Sequence, residues 1–183
     1  MRLYEPSVLD QIVLALIGER PRHGFAVSKE LETDPSLSAV IRARRPLVYR
    51  SINSLVEAKL IREIKTEPGD QGSPRVIYAA TATGKSTITK WLNDTVDHPR
   101  DARIELLAKF VLRNRRKLSS KQLATRQRKL FVRQAANLQV DAISATSDVR
   151  LVALWRVENI NAMIRLLDAV ILDAVILDTV INE

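Results

Sequence analysis

The chain of 183 residues contains no cysteine. Disulfide scaffolds, thiolate catalysis and cysteine-ligated zinc are thereby excluded. Histidine occurs only as His23 and His98. The sequence offers no metal-ligand cluster, paired carboxylates or nucleophile–base set, so neither an enzyme nor a bound metal or cofactor is expected. His23 lies in the turn Arg20-Pro-Arg-His-Gly24 and reads as a hydrogen-bonding loop residue. Aromatic residues are scarce, at 4%, so the core must be largely aliphatic. No charge-free apolar run reaches the roughly 20 residues of a membrane-spanning helix. The N-terminus also lacks the basic-then-apolar layout of a signal peptide. A soluble, cytoplasmic protein without membrane contact is the expectation.

Positive charge is abundant. The formal net charge is +8 and the pI about 10.1, which favours a polyanionic partner such as nucleic acid or an anionic surface. The length suits one large domain or two small ones. Asp97-His-Pro-Arg-Asp101 is the clearest break, and it predicts domains over 1–97 and 98–183.

The stretch from Arg42 to Tyr78 organises the first of these. Pro46 suits a first helical turn, where its missing N–H is not needed. Val48, Ile52, Leu55 and Val56 then recur at the spacing of one buried helical stripe. Tyr49, Arg50, Asn53 and Ser54 fall largely away from it, with Arg42, Arg44 and Arg45 just upstream. Such a face carries the groups that meet phosphates and base edges. Two β-capable runs follow, Ile61–Glu67 and Arg75–Tyr78, around Pro68-Gly-Asp-Gln-Gly-Ser-Pro74. A helix leading straight into a hairpin is the order of a winged helix–turn–helix, with the helix in the major groove and the wing on the neighbouring backbone.

Upstream, Ser7 is placed to cap a helix bearing Val8, Leu9, Ile12, Val13, Leu16 and Ile17, with Gly18 at its end. A second helix starts at Phe25, with Phe25, Val27 and Leu31 as core candidates, and Asp34-Pro-Ser36 breaks it. Downstream, Thr81-Ala-Thr-Gly-Lys-Ser-Thr87 resembles half a phosphate-binding loop. The full motif needs glycine where Ala79 stands, so Thr81 or Thr83 is better read as a helix cap.

The C-terminal half reads as helices over 102–117 and 120–145. The first is expected to bury Ile104, Leu107, Val111 and Leu112, the second Leu123, Leu130, Ala135 and Leu138. Ala153, Val157, Ile160, Ile164, Leu167 and Ile171 form a heptad seam that needs a partner, within the chain or in a second subunit. Near the end, Asp-Ala-Val-Ile-Leu occurs twice in succession; five residues advance a helix by about 500°, so no clean polar face forms. Burial between subunits is the expectation there.

These residues resemble the PadR family of bacterial transcriptional regulators. The matching words are His23-Gly-Phe-Ala-Val, Pro46-Leu-Val-Tyr-Arg-Ser-Ile-Asn-Ser-Leu, Leu60-Ile61 and Gly72-Ser-Pro-Arg-Val-Ile-Tyr-Ala-Ala-Thr-Ala-Thr-Gly84. Trp91-Leu92 and Arg103–Phe110 are similar to the long subclass with a C-terminal helical domain. Lys59 stands where the family usually has glycine, and Ala80 where it usually has leucine. The resemblance implies a mostly α protein with a small β-hairpin, comprising a winged helix–turn–helix domain and a C-terminal α-helical dimerisation domain. It implies a homodimer on a palindromic double-stranded DNA operator, acting as a repressor relieved by a small, often aromatic, effector. Tyr49, Arg50 and Asn53 are expected to read the groove and Arg44, Arg45 and Arg75 to hold phosphates. Arg42, Ser54 and Ser73 complete the expected DNA-binding set, and Trp91 and Trp155 are the rings an aromatic effector could stack on, Trp91 the better placed. The alternative is a winged-helix protein-interaction module without operator-specific DNA binding.

Overall fold

The computed structural model describes residues 4–68, 74–144 and 146–181. The chain forms two compact units, Met1–Asn93 with Leu107–Leu112, and Asp94–Leu106 with Arg113–Glu183. The architecture is mostly α, with one small antiparallel sheet.

In the first unit, α1 (Val8–Glu19) opens with a reciprocal cap. The Ser7 hydroxyl accepts from the Asp10 N–H at 3.2 Å, while the Asp10 carboxylate accepts the Ser7 N–H at 2.9 Å. Ile12 to Ile17 are all at most 1% exposed, so α1 is enclosed on every side rather than amphipathic. Gly18 does not end it; the helix continues to Glu19, and extended Arg20 closes it. The turn beyond holds a strand absent from the sequence reading, β1 (Arg22–His23). Two residues carry no periodicity, and this strand exists only because Arg22 pairs with Tyr78 and His23 with Ile77.

His23 caps α2 (Gly24–Thr33), its Nδ1 accepting from the Ala26 N–H at 3.0 Å. Asp34-Pro-Ser36 is not only a breaker. Asp34 accepts from the Ser36 and Leu37 N–H groups and starts a short α3 (Pro35–Val40) with Pro35 at its first position. Next comes α4 (Arg45–Glu57), with Val48, Ile52 and Leu55 fully buried. The hairpin consists of β2 (Ile61–Glu67) and β3 (Arg75–Ala80), and the sheet order is β1-β3-β2. Ile64 is an extra residue in β2, a bulge that twists an otherwise open edge.

The end of α4 is closed by a lysine in a left-handed conformation. Lys59 has φ 58°; its N–H donates to the Val56 carbonyl, and the Leu60 N–H reaches back to Leu55, both at 2.9 Å. That is a Schellman closure with the usual glycine replaced. Thr81 then caps α5 (Ala82–Asn93), its hydroxyl accepting from the Gly84 N–H at 3.0 Å. The same hydroxyl lies 2.9 Å from the Lys59 carbonyl oxygen and 3.1 Å from that of Leu60. A Cβ on Gly84 would sit 2.0 Å from the Leu60 carbonyl oxygen. Gly84 is therefore a close-packing glycine and not part of a phosphate loop.

Beyond α5, α6 (Pro99–Asp101) runs through a π-helical turn, Ala102–Leu106, into α7 (Leu107–Arg115), whose residues 107–112 belong to the first unit. One residue extra per turn rotates the helix phase. Ile104, expected inside, is therefore 40% exposed, whereas Ala102 and Leu106 are buried. A second left-handed lysine, Lys117 with φ 54°, closes α7 with the same bond pattern. Two long helices follow, α8 (Lys121–Ser144) and α9 (Ser147–Ile181), and pack on each other. The heptad seam is taken up inside the chain, with Val157, Ile160 and Leu167 buried. Gln127 on α8 is wholly buried, bonding both the N–H (2.7 Å) and the carbonyl (2.9 Å) of Val96. The repeated Asp-Ala-Val-Ile-Leu segment continues α9 as helix; its side chains beyond Asp173 lie outside the described residues.

Two substitutions test the joint between α4, β2 and α5. Lys59→Gly removes left-handed strain and should raise unfolding free energy by about 1 kcal/mol. Gly84→Ala forces a Cβ onto a backbone oxygen and should lower it by about 1–3 kcal/mol. Urea titrations with unchanged m-values are the measurement, and equal midpoints for all three proteins would refute the joint's role.

Candidate nucleic-acid interface

Helical geometry divides α4 into two faces. Val48, Ser51, Ile52 and Leu55 point inward and are at most 4% exposed. Arg50 and Asn53 are exposed on the opposite face, flanked by Tyr49 and Leu47, 41% and 47% exposed. Arg42, Arg44 and Arg45 are exposed at its entry, and Ser54 is half-buried. The expected face thus forms one continuous surface of donors, a phenol ring and guanidinium groups. Ser73 lies outside the described residues.

The inner face is anchored by a polar contact that the sequence reading missed. Ser51 donates to Asp10 on α1, which also receives the Ser7 hydroxyl at 2.8 Å and a bond from Tyr4. Burial alone would raise the Asp10 pKa. The hydrogen bonds from Ser51, Ser7 and Tyr4 outweigh it and hold the carboxyl below its ordinary value. The Tyr4 hydroxyl is pushed up in turn, by burial and then by the Asp10 carboxylate. A serine at the centre of an apolar stripe was the available signal.

The turn His23-Gly24-Phe25 meets both reading elements. A Cβ on Gly24 would lie 2.9 Å from the Ile52 methyl and 3.0 Å from the Tyr49 ring, so only glycine lets α4 come this close. The Phe25 ring carries the Arg45 guanidinium at 4.7 Å and the Arg75 guanidinium at 5.8 Å from its centroid. Two of the expected phosphate contacts, from α4 and from β3, are thereby brought to one ring. Arg22 is different: it is 5% exposed and paired with Glu19 and Glu30, a structural cation rather than a surface one.

The two tryptophans belong to different units. Trp91 is 8% exposed in the core of the first, with the buried Lys109 ammonium 5.4 Å above its ring. Trp155 is 65% exposed on α9. It lines a cleft of about 760 Å³ within the second unit, together with His98, Arg100, Arg103, Gln134 and Arg156. Among the described residues no group of acidic and histidine side chains could hold a metal ion, and no helix is long and apolar enough to cross a membrane.

Residues 13–90 match the model of the transcriptional regulator PadR-like family. That match runs from the middle of α1 through most of α5, and so contains both faces of α4, the hairpin and the Gly84 joint. No curated relative matches the chain. Among solved structures it is similar to Bacillus subtilis PadR in complex with operator DNA, at 17% identity over 92% of this chain and 98% of that one, TM-score 0.48. It is also similar to the PadR-like regulator BC1756 of Bacillus cereus, at 11% identity over 91% and 97%, TM-score 0.39. The Vibrio cholerae virulence activator AphA is similar at 19% identity over 90% and 96%, TM-score 0.40.

The Asp10 anchor of α4 has a pH signature. Its folded-state pKa is depressed, so its contribution is fully present above the ordinary carboxylate value of about 4 and disappears as pH falls through the folded value. Asp10→Asn should lower stability at neutral pH, and the gap to the wild type should narrow below about pH 4. Denaturant midpoints measured across that range check this; a gap independent of pH would show that the carboxylate charge does not hold α4.

Proposed function

We propose that this protein is a sequence-specific DNA-binding transcriptional regulator, acting as a repressor and a homodimer on a palindromic operator. In this reading residues 1–97 are the DNA-binding domain and 98–183 the helical dimerisation domain. The observation that carries it is the outer face of α4, where Arg50 and Asn53 stand exposed between Tyr49 and the entry arginines. Arginine and asparagine are the side chains that bond guanine and adenine edges bidentately. The net charge of +8 supplies the salt-dependent part of the affinity. The PadR-like match supports a regulator over a catalyst.

The dimer rests on α9. Its seam is used by α8, but Leu151 and Leu154 remain 77% and 46% exposed. A row of large apolar side chains in water favours a second copy of the same helix. The effector, a small aromatic molecule, would use the cleft beside Trp155. Of the two tryptophans this is the ring a ligand can reach, because that of Trp91 is enclosed.

Selection of duplexes from a random library by the full-length protein tests the central claim. Asn53→Ala and Arg50→Ala should each lose about 1–3 kcal/mol on the selected site and little on random DNA. Arg44→Ala should weaken both equally and lower the salt slope by about one unit. No enrichment of any sequence would overturn the reading.

For the dimer, Leu151→Glu with Leu154→Glu places charges on side chains that are already exposed. The folded double variant should sediment as a monomer, and persistence of the wild-type species would remove α9 from the interface. Trp155→Ala should abolish release from the selected site by aromatic compounds that release the wild type.

A further inference from the structure

We propose that Phe25 is a positioning residue for DNA phosphates, its ring holding Arg45 of α4 and Arg75 of β3 as one cationic seat. This rests on the DNA-binding reading above and adds a residue to it. Phe25 is half-buried at the first turn of α2, whereas Gly24, Val27 and Leu31 around it are buried. Its ring is therefore not consumed by the core. The two guanidinium groups lie 4.7 Å and 5.8 Å from the ring centroid, within the range of cation–π attraction.

Three constraints bring these groups to one place. Pairing of His23 with Ile77 draws the start of β3 to the start of α2, and Arg75 lies two residues before Ile77. The Gly24 gap admits Tyr49 and Ile52, and Arg45 lies one turn before Tyr49 on the same side of α4. His23 stacks on the ring of Phe25 with centroids 6.1 Å apart and 17° between planes, and its cap to Ala26 fixes that end of α2.

A guanidinium stacked on a ring keeps its N–H donors in plane, directed past the ring edge. It also surrenders rotamer freedom before any phosphate arrives, so less is lost on binding. Two cations gathered at one ring repel each other, and an anion between or beside them relieves that repulsion. The free protein therefore already holds the wing cation and the helix cation at a set spacing. Backbone phosphates are the anions that such spacing would match, because they contact α4 and the wing together in this class of docking.

The test uses full-length protein and a random-sequence duplex, titrated across salt concentrations. Phe25→Tyr keeps the ring and should bind like the wild type. Phe25→Leu keeps the apolar contact but not the ring. It should lower affinity about fivefold, the scale of one or two exposed cation–π contacts, and should reduce the salt slope. In that background Arg45→Ala and Arg75→Ala should each cost less than in the wild type. An unchanged salt slope in folded Phe25→Leu, or fully additive effects of the arginine variants with it, would overturn the proposal. Should Phe25→Leu fail to fold, Arg45→Ala combined with Arg75→Ala decides: a joint seat predicts a non-additive loss, and additivity overturns it. A wild type with no salt-dependent duplex binding would instead refute the DNA-binding reading itself.

Discussion

The close approach of Gly84 to the Leu60 carbonyl is the constraint on which the first unit depends. One carbonyl receives the Thr81 N–H at 3.0 Å and faces the Thr81 hydroxyl. The position of a hypothetical Cβ, 2.0 Å away, shows how little room remains. At this one point the end of α4, the first residue of the wing and the start of α5 are locked together. The direction in which α4 presents its outer face then follows, since the helix is held at its far end here and along its inner face by Asp10 and Ser51. A polar anchor and a packed glycine both resist rotation of α4 about its axis, which an apolar stripe alone resists poorly.

The winged-helix part was legible because its signals are local and periodic. The stripe Val48-Ile52-Leu55, the proline at the first turn and the Gly/Pro loop each state their element directly. What escaped was structure created by something distant in sequence. β1 has two residues and appears only through pairing with Tyr78 and Ile77. Phe25 read as core because a ring at the start of an amphipathic helix usually is, and nothing in the sequence places Arg75 beside it. Trp91, at the end of the helix after the wing, read as the better ring for a ligand, yet it is enclosed and Trp155 is open to solvent.

In the C-terminal half, legibility failed through phase. The π-helical turn over Ala102–Leu106 inserts a residue that no local composition announces, so the inward set shifts from Ile104 to Ala102 and Leu106. Further along α8 the apolar period returns, and Leu123 and Ala135 are buried as expected, joined by Phe131 and by Gln127. The heptad of α9 identified the correct residues. Whether a seam faces its own chain or another copy is decided by geometry between helices, which periodicity does not contain.

The two left-handed lysines add positive charge just past the carboxyl ends of α4 and α7, where the macrodipole is negative. A glycine there would relieve the backbone but supply no charge. Part of the conformational strain is thus offset by an electrostatic attraction that dissolved ions screen. In the unfolded chain the same lysines restrict the backbone more than glycine would, which returns a further part. Ionic strength therefore acts on this protein from within as well as at its surface: it loosens the closure that ends α4 while it weakens the pull of the basic face on any polyanion.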